Sequence, residues 1–112
     1  MTSTDHIEAV IVLTTIDSAE QAQLIARTLV AERLAACVNL LPEMMSIYRW
    51  EGAVHEDRER QLVVKTTREK VDALRERLHE LHTYDVPEFL VLSIESGSAA
   101  YLRWMEESLD RH

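Results

Sequence analysis

Residues 46–67 read SIYRWEGAVHEDRERQLVVKTT and contain two extended segments joined at Glu51-Gly52. The first segment is Ser46–Trp50, and the second is strand-like around Leu62–Val64 after a polar stretch. This pattern predicts a β-hairpin that is unusually long for a chain of 112 residues. Pro42 precedes the hairpin and predicts that its first strand lies at a sheet edge or contains a bulge, since proline cannot donate a ladder hydrogen bond.

The chain before the hairpin predicts a strand, a helix and the start of a second strand. Residues 7–13 are almost continuously apolar, which is typical of a strand buried on both faces. Ser18 has the position of a helix cap, with Gln21 three residues later, and apolar residues at helical spacing continue to about Leu34. The apolar run 37–41 then leads into the hairpin.

The chain after the hairpin predicts a second helix, a last strand and a terminal helix. Thr66 and Glu69 have the spacing of a capping box, and an apolar helical face continues through about His82. Residues 89–94 form an apolar run typical of a strand, and residues 98–109 have the pattern of a short helix.

The predicted element order is therefore βαββαβ with an added C-terminal helix. Because β-α-β crossovers are right-handed, two of them flanking one hairpin place both main helices on one face of a four-stranded antiparallel sheet. The predicted fold is a ferredoxin-like α+β sandwich that occupies residues 1–112 as one domain. Residues 1–6 are polar and are expected to be disordered.

A sheet with helices on one side leaves its other face bare, and the predicted strands carry apolar residues at both parities. Apolar patches and uncovered edge strands of this kind usually mark an interface. We expect self-association, with Tyr48 and Trp104 as interface aromatics. The alternative is a monomer whose C-terminal helix folds over the bare face, and symmetry alone would favour a dimer over other oligomers.

Composition restricts the classes of partner and activity. The formal net charge is −8, so the chain lacks the clustered Lys and Arg that neutralise nucleic acid or an anionic membrane. The single cysteine predicts a reducing compartment, the cytoplasm. No nucleophile elbow, phosphate loop or dinucleotide fingerprint is present in the sequence, which predicts that the protein is not an enzyme.

A histidine and a carboxylate near the last strand predict a metal site. His82 and Glu88 bracket the loop into that strand, and an imidazole with a carboxylate suits copper or zinc. A third ligand would come from Glu59, from His79 or from a neighbouring subunit. The alternative interpretation is that His82 is a helix-terminal histidine that satisfies the last helix carbonyls.

Three other features have both a structural and a functional interpretation. Cys37 lies in an apolar run, where a free thiol packs as a small hydrophobe or, beside a basic group, acts as a metal or redox thiolate. Lys65 ends an apolar strand and either reaches solvent or anchors an anionic ligand between Tyr84 and Trp50. The charged run 56–60 is interpreted as a solvated hairpin face.

Several short motifs follow one another along nearly the whole chain. They are ERLAACVN at 32–39, YRWEG at 48–52, Lys65-Thr66, Pro87-Glu88 and YLRW at 101–104. Taken together in this order and spacing, they resemble those of the CutA family. The resemblance implies a ferredoxin-like subunit, a tight homotrimer formed by pairing of strand edges, and a cytoplasmic role in tolerance of divalent cations, most often copper. It implies no established catalytic activity.

The resemblance also implies an alternative function. CutA proteins are similar in shape to trimeric PII signalling proteins, which bind small effectors between subunits. On that basis Trp50, Glu59, Lys65 and Tyr84 are assigned to an inter-subunit cleft. The alternative is a signalling or adaptor trimer that binds a small ligand or a partner protein in this cleft.

Two departures from the family pattern affect the metal prediction. Many members carry a cysteine after the first strand, where this chain reads Leu13-Thr14-Thr15, so a soft thiolate ligand for copper is missing. The usual His-Pro-Tyr before the last strand is His82-Thr83-Tyr84, which frees the loop backbone that proline would restrict.

Overall fold

The computed structural model describes residues 7–110 and contains five strands and three α-helices in that range. In chain order these are β1 (Ala9–Ile16), α1 (Ala19–Ala31), β2 (Cys37–Leu40), β3 (Met44–Trp50), β4 (Ala53–Thr67), α2 (Val71–Leu81), β5 (Leu90–Ser93) and α3 (Ala99–Leu109), with a 3₁₀ turn at Arg68–Lys70 before α2. The predicted disorder of residues 1–6 lies outside the described range. Within that range, none of the helices is both long and apolar enough to cross a bilayer.

The sheet has the strand order β2-β4-β1-β5, every pairing is antiparallel, and β3 also pairs with β4. This arrangement confirms the ferredoxin-like prediction. The predicted second strand is divided at Pro42 into β2 and β3. Leu40 pairs with Leu62 and Met44 pairs with Glu59, so three residues of one strand oppose two of the other. That extra residue is a β-bulge at the sheet edge, where proline is tolerated.

The hairpin projects as an arm, which we define as β3 with residues 53–59 of β4. At about 3.3 Å per residue, the 15 residues of β4 span about 50 Å and account for the 53 Å long axis of the molecule. Glu51 and Gly52 form the two-residue loop with φ of 49° and 80°. Positive φ at both positions is the geometry of a type I′ turn, which matches the twist of the flanking strands.

One face of the sheet packs against α1 and α2. Ser18 caps α1 as predicted, because its hydroxyl accepts a hydrogen bond from the Gln21 amide at 3.2 Å. Alternate residues of β1 and β4 meet the apolar stripes of the two helices in one buried cluster. Its members are Val12, Ile16, Ala22, Ile25, Leu29, Ala35, Leu62, Val64, Leu74 and Leu78.

The predicted capping box at the start of the second helix is wrong. The Thr66 hydroxyl donates to the Leu34 carbonyl at 2.8 Å, which ties β4 to the segment after α1. The chain enters α2 through the 3₁₀ turn, and neither that turn nor α2 has a side-chain cap. Thr66 lies inside β4, and its side chain is held at the Leu34 carbonyl, so it does not cap the helix.

The second face of the sheet is covered at one end only. Met105 and Leu109 of α3 pack there against Ala9 and Ala36. Beyond α3, a row of apolar side chains runs across three strands, since Leu13 pairs with both Val63 and Leu90. Leu90 is 54% exposed and Leu92 is 47% exposed. The C-terminal helix therefore folds back as one alternative expected, but it leaves most of the face open.

Candidate functional site

A cluster of polar side chains lies beside the start of β5, where β1 extends beyond its pairing with β5. The last β1–β5 pair is Leu13 with Leu90, so Thr14 and Thr15 have no β5 partner. The loop between α2 and β5 fills this place with His82, whose Nε2 lies 2.7 Å from the Thr15 carbonyl oxygen. Because a carbonyl oxygen only accepts, Nε2 carries the proton in this arrangement.

The second ring nitrogen of His82 is also occupied. Nδ1 accepts a hydrogen bond from the Tyr84 amide at 3.1 Å, and the ring is buried. The interpretation of His82 as a histidine that satisfies the last carbonyls of its own helix is therefore wrong, because the ring reaches across to β1. Both nitrogens of the neutral imidazole are used to hold the loop on the sheet, and a metal ion at this ring would have to displace one of these bonds.

Tyr84 and Glu59 form the buried part of the cluster. The Tyr84 hydroxyl donates to Glu59 Oε2 at 2.7 Å, and the Tyr84 ring lies 4.6 Å from the His82 ring between centroids. Burial raises the pKa of Tyr84 above its usual value, and the hydrogen bond to Glu59 and the negative charge of that carboxylate raise it further. Glu59 is 8% exposed, so it is not part of a solvated face as the run 56–60 predicted.

Gln61 connects the same cluster to Glu88. Its Nε2 lies 2.8 Å from the Thr14 carbonyl oxygen and 2.8 Å from Glu88 Oε2, so the amide donates both of its protons. His82 and Glu88, the predicted metal ligands, are thus in one region but are held by different partners. Sequence analysis did not single out Gln61, although its position two residues from Glu59 in a strand places both side chains on one face.

The four predicted cleft residues do not meet within one chain. Lys65 lies six residues from Glu59 along β4, or about 20 Å, and its ammonium is 5.9 Å from the centroid of the Tyr101 ring. Trp50 pairs with Ala53, which lies about 20 Å from Glu59 in the other direction. A cleft that contains all four residues therefore needs more than one copy of the chain.

The remaining candidates occupy separate places. Trp104 is exposed on α3 and contacts the Tyr101 ring at 5.3 Å between centroids. Cys37 is half-buried and lies opposite Lys65 in the β2–β4 pair. Nδ1 of His79 lies 2.8 Å from the Arg75 carbonyl oxygen. Over residues 7–110, no three side chains of His, Cys, Asp or Glu are grouped so that they could hold a metal ion.

Tyr48 lies on the arm, away from this cluster. Its ring stacks on His55 with centroids 5.7 Å apart and an angle of 20° between the planes, and its hydroxyl donates to Asp57. The hydrogen bond to Asp57 is the main cause that raises the pKa of Tyr48. Sequence analysis placed Asp57 in a solvated run and did not single out His55, although strand alternation puts both on one face.

The fold and the cluster define a ferredoxin-like domain with a long arm, a partly open sheet face and a closed polar network where β1 extends beyond β5. Residues 10–108 match the family model of the CutA1 divalent ion tolerance protein. The divalent-cation tolerance protein CutA of Thermus thermophilus is 51% identical over 98 residues, which are 88% of this chain and 95% of that protein. The chain belongs to the CutA divalent-cation tolerance family.

Other relatives agree with this assignment. The chloroplastic CutA protein of Arabidopsis thaliana is 39% identical over 106 residues, which cover 95% of this chain and 58% of that protein. The solved structure of the divalent cation tolerance protein CutA1 of Thermus thermophilus matches with a TM-score of 0.89 at 49% identity, over 91% of this chain and 99% of that one.

Proposed function

We propose that this chain forms a homotrimer in the cytoplasm, binds a divalent cation, copper above all, and contributes to divalent-cation tolerance without catalysing a reaction. Family membership supports the role in tolerance, because the relatives carry that description in their names. The single cysteine, which has no disulfide partner in the chain, supports a reducing compartment.

The observation that carries the assembly is the open part of the second sheet face. Leu90 and Leu92 continue the apolar surface of Leu13 and Ile11 into solvent. Burial of such surface contributes about 25 cal/mol per Å², so a sister chain laid over it would be strongly favoured. The preference for three copies over two rests on the family resemblance.

The test of assembly is the molar mass in solution. Sedimentation velocity at a few micromolar protomer should give three times the 12.9 kDa mass of the chain. Leu90→Asp should shift the protein toward smaller species, because it places a charge in the open face. Leu24→Asp is the matched control, since Leu24 is also an exposed leucine but lies on α1. A wild-type protein that sediments as a monomer would refute the trimer.

Cation binding is tested by calorimetry with Cu²⁺ and Zn²⁺ on tag-free protein. The sequence-predicted ligands His82 and Glu88 are one location to examine. A metal ion there would break a hydrogen bond that holds the loop, so binding at His82 should lower the stability of the loop. His82→Ala should then reduce both the binding and the protection of the Tyr84 amide from hydrogen exchange.

A second candidate function is the PII-like signalling or adaptor trimer, and Glu59 favours it. This carboxylate is buried, its one hydrogen bond is to a phenol, and no Lys, Arg or His lies within ion-pair distance among residues 7–110. A cationic group of a ligand or partner protein would compensate this charge. Thermal shift with small amines in the presence of EDTA should reveal a stabiliser whose effect is lost in Glu59→Gln.

A further inference from the structure

The arm has two chemically different faces. Side chains alternate along β3 and β4, so paired residues divide into two sets. One face, which we call the donor face, has no Lys or Arg and consists of Met44, Ser46, Tyr48, Trp50, Ala53, His55, Asp57 and Glu59. The opposite face carries Arg49 and Arg58. A cation that approaches the arm therefore meets carboxylates without competing basic groups only on the donor face.

Three side chains on the donor face are already held together. His55 lies directly opposite Tyr48 in the strand pair, and their rings stack. Asp57 follows His55 by two residues, or about 7 Å between Cα atoms, and its Oδ2 accepts the Tyr48 hydroxyl. Tyr48 thus orients both the imidazole and the carboxylate from the neighbouring strand.

His55 and Asp57 keep free lone pairs in this arrangement. Over residues 7–110, the ring nitrogens of His55 make no hydrogen bond or ion pair, and Oδ1 of Asp57 makes no hydrogen bond. His82 differs, since both of its nitrogens are hydrogen-bonded, and His79 uses one nitrogen on the Arg75 carbonyl. Among the histidines of the described range, His55 is the one with no hydrogen bond at either ring nitrogen, and His79 keeps one nitrogen open but has no carboxylate held beside it as Asp57 is beside His55.

We propose that His55 and Asp57 bind one borderline divalent cation, Cu²⁺ or Zn²⁺, on the donor face of the arm, with Tyr48 as a positioning residue. The proposal rests on the proposed cation-binding function and places its site. Imidazole nitrogen and carboxylate oxygen are suitable ligands at about 2.0–2.2 Å. The arm supplies two protein ligands, so water or a side chain of a second copy completes the coordination.

The role of Tyr48 follows from its two contacts. The Tyr48 hydroxyl donates to Asp57 Oδ2, so Tyr48 acts here as a hydrogen-bond donor to a ligand and not as a ligand itself. It leaves Oδ1 for the metal and fixes the plane of the imidazole by stacking. Outer partners of this kind typically change metal affinity by about 10- to 100-fold when they are removed.

The experiment uses the full-length, tag-free protein in its native oligomeric state. Because His6 and His112 could hold adventitious metal, a second set of variants carries His6→Ala and His112→Ala in addition. Affinity for Cu²⁺ and Zn²⁺ is measured by competition with a chelator of known strength, and electron paramagnetic resonance of bound Cu²⁺ reports a nitrogen ligand.

The variants of the arm should differ in how much metal affinity they lose. His55→Ala and Asp57→Asn should each lower the affinity more than about 100-fold, and His55→Ala should also remove the nitrogen hyperfine signal. Tyr48→Phe keeps the stack, loses the hydrogen bond and should lower the affinity about tenfold. Glu56→Gln is the matched control, because it removes a neighbouring carboxylate from the opposite face and should leave the affinity unchanged.

A second readout locates the ion. Trp50 is on the donor face two residues from Tyr48, about 7 Å along the strand, whereas Trp104 is on α3. In a Trp104→Phe background, bound Cu²⁺ should quench the Trp50 emission, and His55→Ala should abolish the quenching.

The other outcomes distinguish failure of the arm site from failure of the proposed function. Wild-type affinity in His55→Ala and Asp57→Asn, or binding lost only with His82→Ala, would overturn the arm site and leave the proposed function standing. Binding lost only with the terminal histidines would be adventitious and would overturn both. An absence of saturable binding in the wild type would overturn the proposed function itself. Circular dichroism melts of His55→Ala and Asp57→Asn should match the wild type, since His55 and Asp57 are exposed.

Discussion

The replacement Thr14→Val should stabilise the protein, although it changes a residue in the middle of the fold. Thr14 is fully buried on the helix-facing side of β1, directly opposite Leu62 of the buried apolar cluster. Its Oγ1 is the one buried side-chain oxygen or nitrogen without a hydrogen-bond partner among the residues that the structure describes. Valine has nearly the same shape and the same β-branched preference for a strand, and it carries no group that needs a partner.

The expected size of the effect follows from the cost of a buried, unpaired hydroxyl. Protein substitutions place that cost at about 1–3 kcal/mol, and the replacement should recover most of it. A gain of 1 kcal/mol raises the midpoint of thermal unfolding by about 4–8 °C in a domain of this size. Guanidinium unfolding of both proteins at one protomer concentration measures the difference, because the stability of an oligomer depends on concentration.

Thr66→Val is the matched control for this prediction. Thr66 is also fully buried on the same face of the sheet, in β4, but its hydroxyl donates to the Leu34 carbonyl. Its replacement should therefore destabilise the protein by about 1–2 kcal/mol. If Thr14→Val lowers the free energy of unfolding as Thr66→Val does, the Thr14 hydroxyl has a partner such as an internal water, and the reasoning is refuted.

Three further predictions concern the loop, the alkaline limit and the turn. His82→Ala removes both bonds of the ring and should destabilise the protein by about 1–3 kcal/mol and speed hydrogen exchange at Tyr84; unchanged exchange would mean that other contacts hold the loop. The raised pKa of Tyr84 predicts that stability falls as pH rises above about 10, since the unfolded phenol ionises while the buried one stays protonated. Denaturation at several pH values should show a flatter alkaline decline in Tyr84→Phe, and identical slopes would contradict the assignment. Gly52→Ala should cost about 1 kcal/mol in urea unfolding because φ is +80°, although a new Cβ meets no atom within 4 Å; an unchanged midpoint would show that the turn relaxes.

The helices and strands were predictable from residues that are close together in the sequence. The one wrong cap prediction shows where contacts between distant residues decide instead. The Ser18 cap lies three residues from the Gln21 amide that donates to it, so spacing alone identified it. Thr66 and Glu69 have equally good spacing, but the Thr66 hydroxyl is used by a carbonyl 32 residues away. A capping box depends on a hydroxyl that is oriented toward the helix amides, and sequence cannot show how distant contacts orient a side chain.

The candidate site was predictable by residue but not by arrangement. His82, Tyr84, Glu59 and Glu88 were all singled out, and they do lie in one region. Apart from the Tyr84 amide bond to His82, the bonds that hold them connect positions 25 or more apart, and the connecting amide of Gln61 has no signal beyond its strand parity. The metal interpretation of His82 stays a prediction, and its bonds to Thr15 and Tyr84 show why residue type alone does not define a ligand.

The polar cluster and the arm therefore differ in how readily their side chains can bind a cation. At the sheet end the donors of His82, Tyr84 and Gln61 are paired with acceptors, which makes that region a fixed part of the scaffold and an expensive place to bind a metal. On the arm the ring of His55 is held in position by stacking but is not hydrogen-bonded, so a cation can bind there without unfolding a loop. The two regions are neighbours on one strand, since His55 lies four residues from Glu59, or about 13 Å along β4. An assembly can bury the open sheet face while the rest of the arm reaches neighbouring chains. Any cleft that contains Trp50, Glu59 and Lys65 together must then be made by different copies.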